Sequence, residues 1–184
     1  INLKDDSREI RQMKMEMHYI KGRYDIAMGD YDSGIANIEK SIFLAQKLNA
    51  HKNLLACYKQ QVFHGIQRED LEKVDKYVTL GLGCIKKEER DEYATFLRLK
   101  GWYHVQRQEY RMAEDVLQKA LMVFRELEDG GGKYTASIAA CFNYIGDISR
   151  EGFWRRGIIW RGPGNASRRT DTDGGLKELR RTLP

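Results

Sequence analysis

The 184-residue chain is 41% hydrophobic and 32% charged, enough apolar content for a core beneath a well-solvated surface. Its two prolines, Pro163 and Pro184, lie near the end, which favours long helices over a sheet of many turns. No apolar run has the length of a membrane span, which argues against a spanning protein. The net charge of +5 sits mainly at the end of the chain. Residues 151–184 hold eight Lys/Arg against four Asp/Glu, leaving 24 basic against 23 acidic groups in residues 1–150, so a basic DNA-binding stripe is not expected there. No signal peptide is visible and the first residue is Ile1, so a cytoplasmic segment of a longer polypeptide is expected.

Taken in order, residues 6–28 place Ile10, Met13, Met17, Ile20, Tyr24 and Ala27 at spacings of three and four, predicting one apolar helix face capped by Asp6 or Ser7. After a break at Gly29 and Asp30, a second helix is expected over 31–48 on Tyr31, Ile35, Ile38, Ile42, Ala45 and Leu48. A third, 52–67, has Leu55, Tyr58, Val62, Phe63 and Ile66. The fourth, 70–86, uses Leu71, Val74, Tyr77, Val78 and Ile85, with Gly81 and Gly83 weakening its end. The fifth, 89–107, carries Tyr93, Phe96, Leu97, Trp102, Tyr103 and Val105. The sixth, 109–127, carries Tyr110, Ala113, Val116, Leu117, Ala120, Leu121 and Phe124. Past the Gly130–Gly132 loop, a seventh over 134–151 uses Ile138, Cys141, Phe142, Tyr144, Ile145 and Ile148. Short links between seven helices imply antiparallel neighbours.

Two stretches echo each other. Leu99 to Leu121 reads as the end of one helix, a turn and a second helix, and Ile20 to Ile42 repeats its pattern. Gly22 and Gly101 are 79 residues apart, with a weaker copy at about half that distance. A glycine in the first helix of each pair lets the two helices approach closely. Gly34, Ser41, Ala113 and Ala120 serve the same end from the second helix.

These features resemble the tetratricopeptide (TPR) repeat. Gly22, Gly101 and Gly146 match the family's glycine, with Val62 in its place in the middle copy. Tyr31 and Tyr110 match the aromatic that starts the second helix, with Leu71 standing in between. The period is about 40 residues rather than the usual 34. The resemblance implies an all-α, TPR-like α-solenoid of antiparallel helix pairs. Repeats would cover 6–50, 51–88 and 89–129, with the first helix of a fourth at 130–152. The extended period and the segment Asn143 to Ile148 look like the C-terminal arrays of bacterial SARP-type and related signal-responsive transcription activators. In those proteins a separate domain binds DNA while the array senses a partner or effector.

In TPR arrays the first helices line a concave groove. The resemblance places Tyr19 and Arg23 there, then Lys59 and Phe63, then Arg98, Trp102 and Gln106, then Asn143 and Asp147. Trp102 suits a peptide anchor, although Trp102 and Phe63 equally suit packing between helices. Lys59 and Arg98 suit a carboxylate-rich segment. The asparagines of the chaperone-type carboxylate clamp are missing from the first three repeats, which argues against that partner class.

Residues 153–184 do not read as the second helix of a fourth pair. Gly157, Gly162, Pro163 and Gly164 oppose a long helix. Three readings compete: an irregular basic tail, a segment touching membrane or nucleic acid, and a shifted reading frame. A frame shifted from Gly152 permits Leu-Glu-x-Gly-Asn-Tyr-Leu-Glu-x-Ala-x-x-Cys-Phe, which resembles the absent turn and helix.

Catalytic groupings are not found. Gly130 to Lys133 lacks the spacing of a phosphate loop. His18, His51, His64 and His104 form no HExxH or triad-like set. Cys57, Cys84 and Cys141 have no metal-ligand spacing and are expected as reduced, buried thiols. Asn165 to Ser167 is a formal glycosylation sequon, without meaning unless the chain is secreted. The expectation is therefore a non-catalytic module without cofactor or metal, holding a protein or peptide in its groove. A helical scaffold for a small effector is the alternative, with nucleic acid reached only through another domain or the tail.

Overall fold

A computed structural model of the chain describes residues 7–155, with side chains to residue 150. Among these residues the structure is all-helical, without strands. The helices are α1 (Arg8–Ala27), α2 (Tyr31–Leu48), α3 (His51–Gln67), α4 (Leu71–Cys84), α5 (Arg90–Gln106), α6 (Tyr110–Asp129) and α7 (Thr135–Arg155). The chain divides into two units, residues 1–148 and 149–184. Within the first, α1 packs on α2, α3 on α4 and α5 on α6, while α2 meets α3 and α4 meets α5. This is a helical-repeat solenoid built from hairpins.

The repeat extends to the backbone of the turns. At Gly29, Glu69 and Gln108, each two residues before the second helix of its pair, φ is +88°, +56° and +60°. The next residue closes each turn with the same bond: Asp30, Asp70 and Glu109 donate their N–H to the carbonyls of Asp25, Gly65 and His104, each at 2.9 Å. A left-handed residue at this place satisfies carbonyls that the helix end leaves open. Asp30 and Asp70 then cap α2 and α4, accepting from the N–H groups of Ser33 at 3.1 Å and Lys73 at 2.9 Å.

Each hairpin closes where its side chains are smallest. A Cβ on Gly22 would stand 2.8 Å from the Gly34 carbonyl oxygen, and one on Gly101 would stand 2.5 Å from Leu117. Val62 fills the matching place in the middle hairpin and is fully buried. The small residues ten positions into each second helix, Ser41, Gly81 and Ala120, serve the junction to the next hairpin. Cys57, Phe96 and Cys141, five residues before Val62, Gly101 and Gly146, are all 0% exposed. Cys57 Sγ lies 3.5 Å from Ser41 Oγ, and a Cβ on Gly81 would stand 2.1 Å from the Phe96 ring. Gly81 therefore does more than weaken the end of α4: it makes room for the next hairpin. Around Gly146 no described atom lies within 4 Å of an added Cβ.

The core is two linked clusters. One gathers Leu55, Tyr58, Val62, Val74, Val78, Phe96 and Leu99, and the other joins Leu117, Leu121 and Phe124 of α6 to Cys141 and Ile148 of α7. The predicted apolar face of α1 is not part of either. Met15 and Gly22 face the array instead, whereas Met13, Met17, Ile20 and Tyr24 are 56–69% exposed. The reason is steric: the hairpin closes where Gly22 lets Gly34 approach, which turns the larger side chains outward. Ser7 caps α1, its hydroxyl accepting from the Ile10 N–H at 3.4 Å. At the other end α7 continues through the expected stop at Gly152 to Arg155, and the remainder of the predicted tail, with its proposed frame shift, lies outside the described residues.

Candidate partner-binding face

The nine predicted groove residues all lie on first helices of the hairpins: two on α1, two on α3, three on α5 and two on α7. They occupy three recurrent places relative to the hairpin contact. Tyr19, Lys59, Arg98 and Asn143 precede it by three residues, Arg23, Phe63, Trp102 and Asp147 follow it by one, and Gln106 follows by five. Equal register puts them along corresponding sides of successive helices.

Their surroundings differ. The Arg23 guanidinium lies over the half-buried Tyr19 ring, 5.7 Å from its centroid. Lys59 Nζ donates to both carboxylate oxygens of Glu92, at 2.7 and 2.8 Å. Phe63 is 43% exposed. Arg98 is half-buried, and its Nε, out of contact with solvent, has no hydrogen-bond partner among the described residues. Trp102 is also half-buried and packs against the cluster around Leu55, Val62 and Phe96, so it combines a structural contact with an accessible edge. Gln106 and Asn143 are exposed and Asp147 is half-buried.

Lys59 changes the electrostatic reading. It was expected to offer a cation to a carboxylate-rich segment, but Glu92 of α5 already supplies that carboxylate. A surface pair of this kind contributes little stability, about 1 kcal/mol or less. Its consequence is positional, because it joins α3 to α5 across the face. A second tie lies nearby: His51 Nε2 contacts Glu89 Oε2 at 2.5 Å, and that oxygen also accepts from the Lys86 N–H at 3.1 Å. The His51 hydrogen bond, followed by the Lys86 backbone bond, holds the Glu89 carboxyl below its usual range. Of the other two predicted cations, Arg23 is exposed beside the Tyr19 ring, and Arg98 keeps a buried Nε without a hydrogen-bond partner among the described residues.

The remaining histidines brace turns and hairpins. His18 Nδ1 donates to Asn37 Oδ1 at 3.0 Å, and Asn37 donates to Asp25, which also accepts from the Ser33 hydroxyl. His64 Nδ1 accepts from Lys73 Nζ at 3.0 Å, and burial, then the Lys73 and Arg68 charges, push its pKa down. His104 contacts Glu109 at 2.7 Å across the turn from α5 to α6. That bond, then one from Arg107, lowers the Glu109 pKa. None of these ties was singled out from sequence; the partners of His51 and Lys59 lie 38 and 33 residues away, in the next repeat.

Burial pushes the Cys141 thiol up to about 11 and raises that of Cys57. The expectation of buried thiols holds for these two, while Cys84 is half-exposed. Among the described residues no three His, Cys, Asp or Glu side chains are grouped to hold a metal, and no helix is long and apolar enough to cross a membrane. An open hollow of about 570 Å³, missed by the sequence reading, lies between α1 and α2 beside Lys14, His18, Lys40 and Phe43. It includes none of the nine predicted residues.

No protein-family model matches the chain, and no curated protein matches it. What the fold defines is an all-α helical-repeat array.

Proposed function

We propose that the chain is a TPR-like, non-catalytic interaction or sensory module of a larger bacterial transcription regulator, acting in the cytoplasm. Its partner is a protein or peptide lying along the first helices. The observation that carries this reading is the recurrence of accessible side chains at the same helical places on α1, α3, α5 and α7. Arg98 and Trp102, adjacent on α5, supply a charge and an aromatic edge where a peptide can be anchored. The link to transcription rests on the resemblance of the extended repeats to activator arrays.

The test is a displayed peptide library selected on the whole chain, with binders measured by fluorescence anisotropy against Trp102→Ala and Arg98→Glu. Each substitution is expected to weaken selected peptides about tenfold or more. Selected peptides that bind all three proteins equally would remove this face from the account.

A further inference from the structure

The exposed side of α1 has an order that the later first helices lack. Ile10, Met13, Met17, Ile20, Tyr24 and Ala27 alternate spacings of three and four, the a and d positions of a heptad over almost the whole helix. Met15 and Gly22, which face the array, are both f positions, directly opposite this seam. The helix therefore has two apolar sides, and on the more hydrophobic one Met13, Met17, Ile20 and Tyr24 are each more than half exposed.

The corresponding positions elsewhere are not built this way. In α3 they are Asn53, Cys57, Gln60, His64 and Gln67, and in α5 Glu92, Phe96, Leu99, Tyr103 and Gln106. There the apolar members sit at the junction to the preceding hairpin, and the ends are polar. On α1 the seam is apolar from end to end.

The charges beside the seam choose an occupant and an orientation. The g positions are Glu9, Glu16 and Arg23, and the e positions are Lys14, Lys21 and Met28. Two parallel copies of α1 in register bring Glu9 against Lys14 of the other copy and Glu16 against Lys21, in both directions. An antiparallel pairing sets e against e, Lys against Lys, and can match a glutamate at g only with Arg23, so it forms fewer opposite-charge pairs along the lysine side. Such pairs decide orientation and partner more than strength. A helix of 20 residues offers just under three heptads, so the association is expected to be weak and concentration-dependent.

We infer that α1 is a self-association surface: two copies of this chain pair through a parallel coiled coil along the Ile10–Ala27 seam. The inference does not depend on what occupies the face of α3 and α5.

Sedimentation equilibrium of the full chain tests it, over about two decades of concentration up to roughly 100 µM. The mass should rise from 21.5 kDa toward twice that value. Ile20→Glu and Met17→Glu, at side chains already more than half exposed, should leave the circular dichroism unchanged and weaken the dimer about tenfold or more. Glu9→Lys with Glu16→Lys should do the same. Adding Lys14→Glu and Lys21→Glu should restore the dimer, because the swapped charges again match in the parallel arrangement. A chain that stays monomeric throughout the range, whatever then covers the seam, would overturn the proposal. So would a dimer indifferent to Ile20→Glu, which would associate elsewhere, or one that the charge swap fails to restore, which would pair antiparallel or with a different partner surface.

Discussion

Glu69 holds φ at +56°, the place that glycine fills in the first hairpin as Gly29. A side chain in this region meets the backbone and costs roughly 1 kcal/mol, yet the turn needs the conformation to close the bond from the Asp70 N–H to the Gly65 carbonyl. Glu69→Gly should therefore stabilise the chain by about 0.5–1 kcal/mol, measured as a higher urea midpoint at unchanged slope. His64 supplies a pH signature. Its folded pKa lies below the ordinary 6.5, chiefly through burial and then through Lys73 and Arg68. The stability linked to its neutral form is fully present above pH 6.5 and is lost as pH falls from 6.5 through the folded pKa. His64→Gln keeps an acceptor for Lys73 and cannot take up that proton. Its melting temperature should fall less steeply than that of the wild type as pH drops below 6.5; parallel profiles would show that His64 does not contribute.

At the scale of the helix, two glycines near the end of α4 have opposite roles. A Cβ on Gly81 meets the fully buried Phe96 ring, whereas one on Gly83 meets nothing within 4 Å. Gly81→Ala should destabilise by about 1–3 kcal/mol, because the ring has no free volume to move into. Gly83→Ala should stabilise by roughly 0.5–1 kcal/mol through helix propensity. Thermal unfolding of the two variants should shift in opposite directions. Sequence alone treats both as helix weakeners, because propensity is local and the close approach of α5 is not. The same limit explains α1: its heptad spacing is plain in the sequence, but whether that side or the Gly22 side turns inward is set by α2. The helices themselves were legible, since the 79-residue echo between Gly22 and Gly101 fixes the register and the turn residues mark the ends. The pairing of Lys59 with Glu92 was not, because it depends on how two successive hairpins are offset.

For the whole molecule, the hairpins differ in what they offer although their frames repeat. The first presents an apolar seam and the next two are tied by Lys59–Glu92 and His51–Glu89. On α5, Arg98 and Trp102 stand one helical turn apart, both half-buried, with the Trp102 ring packed on the core of the middle hairpin. Under the proposed function, frame and working surface are separate: small residues, turns and paired polar groups hold the hairpins, and the first helices carry the residues proposed to meet a partner. The most direct measurement of that separation is anisotropy of one library-selected peptide against three proteins: the wild type, Trp102→Ala, and Met112→Ala on the exposed side of α6. The account predicts a loss of about tenfold or more for Trp102→Ala and no change for Met112→Ala, with all three equally folded. Equal binding by all three, or a loss confined to Met112→Ala, would contradict it.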